Sequence, residues 1–267
     1  MDVIRPAAPI EPDPATRDFY VAALQKLDEA KVPYLVGGGY AMAYYTGIAR
    51  NTKDLDIFLK PQDRDRCLST LAAAGYRTEF FYPFWIAKAI DPKTEAFIDV
   101  LYSSGNGLCT VDDEWFADTP VVEVHGHPAR LVPAEEQLWS KAFVQDRDRF
   151  DGADVIHLIY GQAEKFNWKR LLRRFAGHER VLMAHLLLFG YAYPHDQARI
   201  PAWVTASLQD AIAHEPDRGA DGKVCRGTFL AQRSYGTALR DWGYSDGRLQ
   251  SQGGPLDPAE VAQLPQP

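Results

Sequence analysis

Cysteine is scarce in this chain: Cys67, Cys109 and Cys225 are the only three in 267 residues, and none belongs to a CxxC pair. The sequence therefore offers neither a disulfide framework nor a structural zinc site, and it suits a reducing, cytoplasmic setting. Positive charge is also in deficit. A formal net charge of −7 and a pI near 5.5 exclude a protein that coats nucleic acid by bulk electrostatics, although a local basic patch stays open. Long uncharged apolar runs are missing as well. The opening "MDVIRPAAPIEPDP" has no basic start followed by an apolar stretch, so neither a membrane partner nor a leader is expected. What the chain does have is 46% hydrophobic residues, enough for a substantial core in one large domain or a domain with an appendage.

Residues 1–14 are proline-rich and read as a disordered arm. Helical spacing begins in "ATRDFYVAALQKLDEAKV". Strand and helix then alternate: "PYLV" as a strand, "YAMAYYTG" as a helix closed by Gly47, "DLDIFLK" as a strand, and "PQDRDRCLSTLAAAG" as a helix. "YRTEFFY", "WIAKAI" and "AFIDVLY" add strands, and "VVEVHGHPARLV" reads as a hairpin. The expected class is α+β: a mixed β-sheet flanked by helices over residues 15–132, followed by a mainly helical part over 133–250. That second part contains helical patterns in "AEEQLWSKAFVQ", "GADVIHLIYG", "WKRLLRRFAGHERVLMAHLLLFG" and "PAWVTASLQDAIAH". Residues 251–267 have the composition of a disordered tail.

Two aspartates stand inside one apolar strand pattern. Residues two apart on a strand project to one face, so Asp54 and Asp56 point together while Leu55 and Ile57 point away. Like charges on one face repel, and a divalent cation that prefers oxygen, Mg2+ or Mn2+, makes such a pair favourable. Asp99, in the apolar "AFIDVLY", is a third acid that a neighbouring strand would bring alongside. Three converging carboxylates can hold two ions about 3.5–4 Å apart, an arrangement suited to phosphoryl chemistry. The plainer reading has Asp54 and Asp56 ending a strand in solvent and Asp99 capping a turn.

Gly37, Gly38 and Gly39 lie between a strand and a helix. Missing side chains there let a phosphate approach the backbone amides of the helix N-terminus; a tight turn or close packing would also require glycine. Tyr40 and Ala41 stand where a P-loop needs its Lys and Ser/Thr, and Met42 breaks the GxGxxG of a dinucleotide fold. A Rossmann enzyme would also leave one of the paired acids and Asp99 without a task.

Together, Gly38, Gly39, Asp54, Asp56 and Asp99 resemble the nucleotidyltransferase fold of the DNA polymerase β superfamily. More narrowly, "VGGGYAMAYYTGIARNTKDLDIF" is similar to AbiEii-like and related minimal nucleotidyltransferases, whose R-x-T-x-D-[LI]-D pattern Arg50 and Thr52 match. The glycine pair of that pattern is either Gly37–Gly38 or Gly38–Gly39. The resemblance spans roughly residues 33–160 and implies a catalytic domain over 15–132, with Asp54, Asp56 and Asp99 as catalytic metal ligands. It implies that Gly37, Gly38, Gly39, Arg50 and Thr52 bind nucleotide. It also implies that Lys141 contacts the triphosphate and that Asp151 and Asp154, in "RFDGADVIHLI", support it. The implied activity is transfer of a nucleoside monophosphate from an NTP to a hydroxyl of RNA or tRNA, a protein or a small molecule. An antitoxin partner follows if the chain is the toxin of a toxin–antitoxin pair. A catalytically inactive nucleotide- or RNA-binding module of the same fold is the competing class. Read from the residues alone, Lys141 is a solvated lysine beside an apolar stripe, and Asp151 and Asp154 are an N-cap and a first-turn acid.

His125 and His127 flank Gly126 and read as turn residues rather than metal ligands. His157, His178 and His185 lie on helices without an HExxH arrangement. Lys169, Arg170, Arg173 and Arg174 fall on one side of a helix; they read as a solvated face or as a surface gripping an RNA acceptor.

Overall fold

The computed structural model describes residues 12–49, 52, 54–215 and 222–264. The chain divides into two compact units, Met1–Pro133 and Ala134–Pro267. The expected α+β class, with its mixed sheet, flanking helices and mainly helical C-terminal part, is the one observed.

In the first unit α1 (Pro14–Glu29) starts where Asp13 accepts from the amides of Ala15 and Thr16, with Pro14 in the first turn. Its apolar positions Phe19, Tyr20, Ala23, Leu24 and Leu27 recur at helical spacing and are all buried. The sheet strands are β1 (Leu35–Val36), β2 (Leu55–Phe58), β3 (Arg77–Tyr82), β4 (Ile86–Ile90) and β5 (Phe97–Leu101). They lie in the order β1-β2-β5-β4-β3. Only β2 and β5 run parallel; the other neighbours are antiparallel. Helix α2 (Gly38–Thr46) joins β1 to β2, and α3 (Arg64–Ala73) leads from β2 to β3. A hairpin of β6 (Val121–Val124) and β7 (His127–Arg130) completes the unit.

Strand alternation gives the sheet two unlike faces. Leu55, Ile57, Ala87, Ala89, Ile98 and Val100 are fully inaccessible and belong to one core with the apolar faces of α1 and α3. Burying each Leu, Ile or Val there contributes about 1.5–3 kcal/mol. The intervening residues Asp56, Lys88 and Asp99 occupy the other face, so the same alternation that builds the core collects the charges.

The second unit contains α4 (Ala134–Ala142), α5 (Gly152–Gln162), α6 (Trp168–Arg174), α7 (Glu179–Ala192) and α8 (Ala202–Ala213). The continuous helical pattern of residues 168–190 is broken in two. Gly177 adopts φ +77, a left-handed conformation that ends the first helix, and the Glu179 side chain accepts from the Gly177 amide at 2.8 Å. Beyond α8 come a short parallel pair, β8 (Val224–Cys225) with β9 (Ser245–Asp246), and helix α9 (Gly236–Arg240). In the stretch 251–267, expected as an unpacked tail, lies α10 (Pro258–Gln263). Asp257 and Glu260 cap it reciprocally, and Leu256 and Leu264 on either side are buried. Residues 1–11 and 265–267 of the expected arm and tail lie outside the described residues. No helix among the described residues is long and apolar enough to cross a membrane.

Candidate active site

The acids meet because of strand register. In the parallel β2–β5 pair Asp56 stands opposite Asp99, and Asp54 sits one residue before β2 begins. Each of the three offers a carboxylate oxygen, and these oxygens all lie within 4.8 Å of one another. At an effective dielectric near 20, two such anions repel by roughly 3 kcal/mol per pair, so an apolar sheet keeps them together only with positive charge nearby. An all-carboxylate donor set of this span fits a hard divalent cation, Mg2+ or Mn2+, and does not suit a metal that prefers sulfur or imidazole.

Asp54 is held from its own turn. The Thr52 hydroxyl donates to Asp54 Oδ1 at 2.9 Å and approaches the Asp54 carbonyl at 3.1 Å. Thr52, expected as a nucleotide contact, thus positions a carboxylate. Arg50, its companion in the motif, lies outside the described residues.

The three glycines lie tight against the acidic strand and the turn before it. Gly38 has φ +53, and a Cβ added there would land on the Asp56 carboxylate. A side chain on Gly37 would strike the Phe58 ring, and one on Gly39 would meet Thr52 Cβ at 3.1 Å. The Gly37 amide donates to the Asp56 carbonyl at 3.0 Å. The glycines let the first turn of α2 press against the acidic strand, which places the helix N-terminus, with its partial positive charge, beside Asp56. The N-cap residue of α2 is Gly37, which has no side chain to cap it. All three glycines are packed too closely for a side chain.

Two neighbours of the triad escaped sequence reading. Lys88, the register partner of Asp99 on β4, places its Nζ 2.6 Å from Asp99 Oδ1. Its signal was present: a lone lysine inside the apolar "WIAKAI" is as anomalous as Asp99 in its own strand. Tyr40, in the first turn of α2, has its phenol pushed above the usual range by burial and then by the charge of Asp54, and it hydrogen bonds His125 at 2.8 Å. His127 lies 3.0 Å from Asp28 and 3.2 Å from the Tyr34 hydroxyl. The turn histidines are therefore anchors of the hairpin.

In the second unit the solvated reading of Lys141 fails. Its side chain is only 13% exposed, with Nζ 2.9 Å from Asp151 and 2.8 Å from Asp154. Asp151 stands at the N-cap of α5 without a side-chain capping bond, because its carboxylate faces Lys141. The basic stripe is also divided. Arg170 and Arg174 turn inward onto the fully buried Glu136 at 2.8 and 2.9 Å, while Lys169 and Arg173 remain exposed. Half of the supposed acceptor grip is thus a buried ion-pair cluster.

The family described as Aminoglycoside-2''-adenylyltransferase matches residues 20–89, a span that includes the glycine turn, Thr52, Asp54, Asp56 and Lys88. No curated protein matches the chain. Among solved structures it is similar to the antibiotic-resistance factor ANT(2'')-Ia, at 19% identity over 65% of this chain and 98% of that one, with a TM-score of 0.42. It is also similar to the lincomycin-bound lincosamide antibiotic adenylyltransferase LnuA, at 17% identity over 55% and 96%, with a TM-score of 0.38. A third is an antigenic nucleotidyltransferase-like protein from Paracoccidioides brasiliensis, at 17% identity over 70% and 92%, with a TM-score of 0.46.

Proposed function

We propose that this chain is a nucleotidyltransferase that moves the adenylyl group of ATP onto a hydroxyl of a small polyol of the aminoglycoside type. The observation that carries the reading is the Asp54, Asp56 and Asp99 cluster, three carboxylate oxygens within 4.8 Å on one face of a mixed sheet. Its support is the family match over residues 20–89. That match favours a small-molecule acceptor over the RNA, protein and toxin roles implied by the AbiEii-like resemblance.

Asp54 and Asp56 would hold a divalent ion, with Asp99 completing the donor set. Bound there, the ion would offset phosphate charge during displacement at phosphorus. The acceptor oxygen attacks the α-phosphorus, the bond to the β-phosphate bridging oxygen breaks, and pyrophosphate leaves. Asp99 takes the hydroxyl proton. Thr52 keeps Asp54 turned toward the site, and the N-terminal turn of α2 presents partial positive charge to the phosphates. Lys141, with Asp151 and Asp154, is the resemblance's choice for a triphosphate contact.

The test is incubation of the protein with ATP, Mg2+ and a panel of aminoglycosides, following pyrophosphate release and the mass of the acceptor. Adenylylated acceptor with wild type and none with Asp56→Asn is expected. ATP binding without pyrophosphate release across small-molecule, RNA and protein acceptors would instead indicate an inactive binding module.

A further inference from the structure

We infer that Lys88 is a built-in counter-cation of the acidic centre, a positioning residue that holds Asp99 and sets how strongly the triad takes up its divalent ion; the inference rests on the reading of Asp54, Asp56 and Asp99 as metal ligands.

Strand register puts Asp56, Asp99 and Lys88 in a row across β2, β5 and β4, so the lysine enters the centre from the side opposite Asp54 and Asp56. Its ammonium is fixed twice. Nζ lies 2.6 Å from Asp99 Oδ1, and it stands 3.8 Å from the centroid of the Phe97 ring, which precedes Asp99 by two residues on β5. A second ring, Phe81 on β3, lies 5.8 Å away. The competing acid on the neighbouring strand is occupied elsewhere: Glu79, the register partner of Lys88, pairs with Arg77 at 2.8 Å. The Lys88 and Asp99 side chains are only 22% and 13% exposed, so the pair is shielded from the screening that empties surface ion pairs of value.

Three carboxylates carry three negative charges, and one ammonium among them leaves two, the charge of a single divalent cation. Lys88 thereby lets the acids assemble before an ion arrives and competes with that ion for Asp99. Removing the ammonium should make the empty centre less stable and the ion more tightly held.

The experiment measures Mn2+ binding to the full chain by electron paramagnetic resonance, and Tm in EDTA and in Mg2+, for wild type, Lys88→Met, Lys88→Gln, Lys88→Arg and Asp56→Asn. Circular dichroism checks that each is folded. Lys88→Met and Lys88→Gln are expected to bind Mn2+ roughly tenfold more tightly and to gain more Tm from Mg2+ than wild type, while Lys88→Arg behaves as wild type. A merely structural cross-strand pair would lower Tm equally with and without the ion and leave the affinity alone. Unchanged or weaker Mn2+ binding in both neutral variants, with Asp56→Asn losing the ion, overturns the role of Lys88 alone. If Asp56→Asn binds Mn2+ as wild type does, the metal-centre reading falls and the inference falls with it.

Discussion

Asp56 and Asp99 are register partners in the one parallel strand pair of the five-stranded sheet, so two carboxylates face each other across a single ladder step. Such a contact opposes folding and favours a cation.

Opposite stability effects are therefore expected at the two positions. Asp56→Asn relieves repulsion and should raise stability in EDTA by up to about 1 kcal/mol, while turnover is lost. Asp99→Asn should lower turnover by about 10²–10⁴-fold with no stability gain, because it strips Lys88 of its anion. Urea titrations beside pyrophosphate-release assays measure both.

Gly38→Ala places an L-residue at φ +53 and pushes a methyl group onto the Asp56 carboxylate. The left-handed conformation alone costs about 1–2 kcal/mol. Denaturant midpoints should fall by at least that amount, and Mn2+ affinity should fall with them.

Thr52→Val keeps the shape and removes the hydroxyl that holds Asp54 at 2.9 Å. A fold of near wild-type stability with metal affinity about 10–100-fold weaker is expected. Isothermal titration with Mn2+ reads it directly; unchanged affinity would mean that the hydroxyl does not orient Asp54.

Lys141→Met takes the shared cation from the buried Asp154 and the half-buried Asp151, which also has Arg149 at 3.4 Å, and should cost about 3 kcal/mol. The measurement is the urea midpoint. If Lys141 also binds triphosphate, KM for ATP rises in variants stabilised by a compensating Asp154→Asn change.

His185 supplies a pH dependence. Burial pulls its imidazole below the ordinary histidine range, against a smaller opposing effect of its bond to the Ala142 carbonyl. The unfolded chain therefore binds more protons than the folded one between the lowered folded value and about 6.5, and stability is lost as pH falls through that window. Tm should decline from about pH 7 to about pH 5 in wild type. In His185→Gln the baseline is lower and this part of the slope is missing.

The acidic face was legible because strand alternation is a strict two-residue rule: Leu55 and Ile57 had to go one way, so Asp54 and Asp56 went the other. Asp99 followed from the same rule, yet its pairing with Asp56 depended on sheet order, which local pattern does not encode. Lys88 was as anomalous in its strand as Asp99, but that anomaly names no partner until sheet order sets the two side by side. The burial of Lys141, Arg170 and Arg174 was not legible for a related reason. Helical spacing shows which side of a helix is apolar, but not that Asp154 or the buried Glu136 waits inside the packed layer. The glycines and the acids lie together, yet the close approach of Gly38 to the Asp56 carboxylate is a contact no motif describes.

The placement of β5 beside β2 has a consequence for synthesis. Between Asp56 and Asp99 the chain must lay down α3, β3 and β4, so a nascent polypeptide leaving the ribosome presents its first two acids long before the third. Fragments that terminate within that interval carry the glycine turn and Asp54-Leu55-Asp56 but lack the partner strand that sets Asp99 beside Asp56.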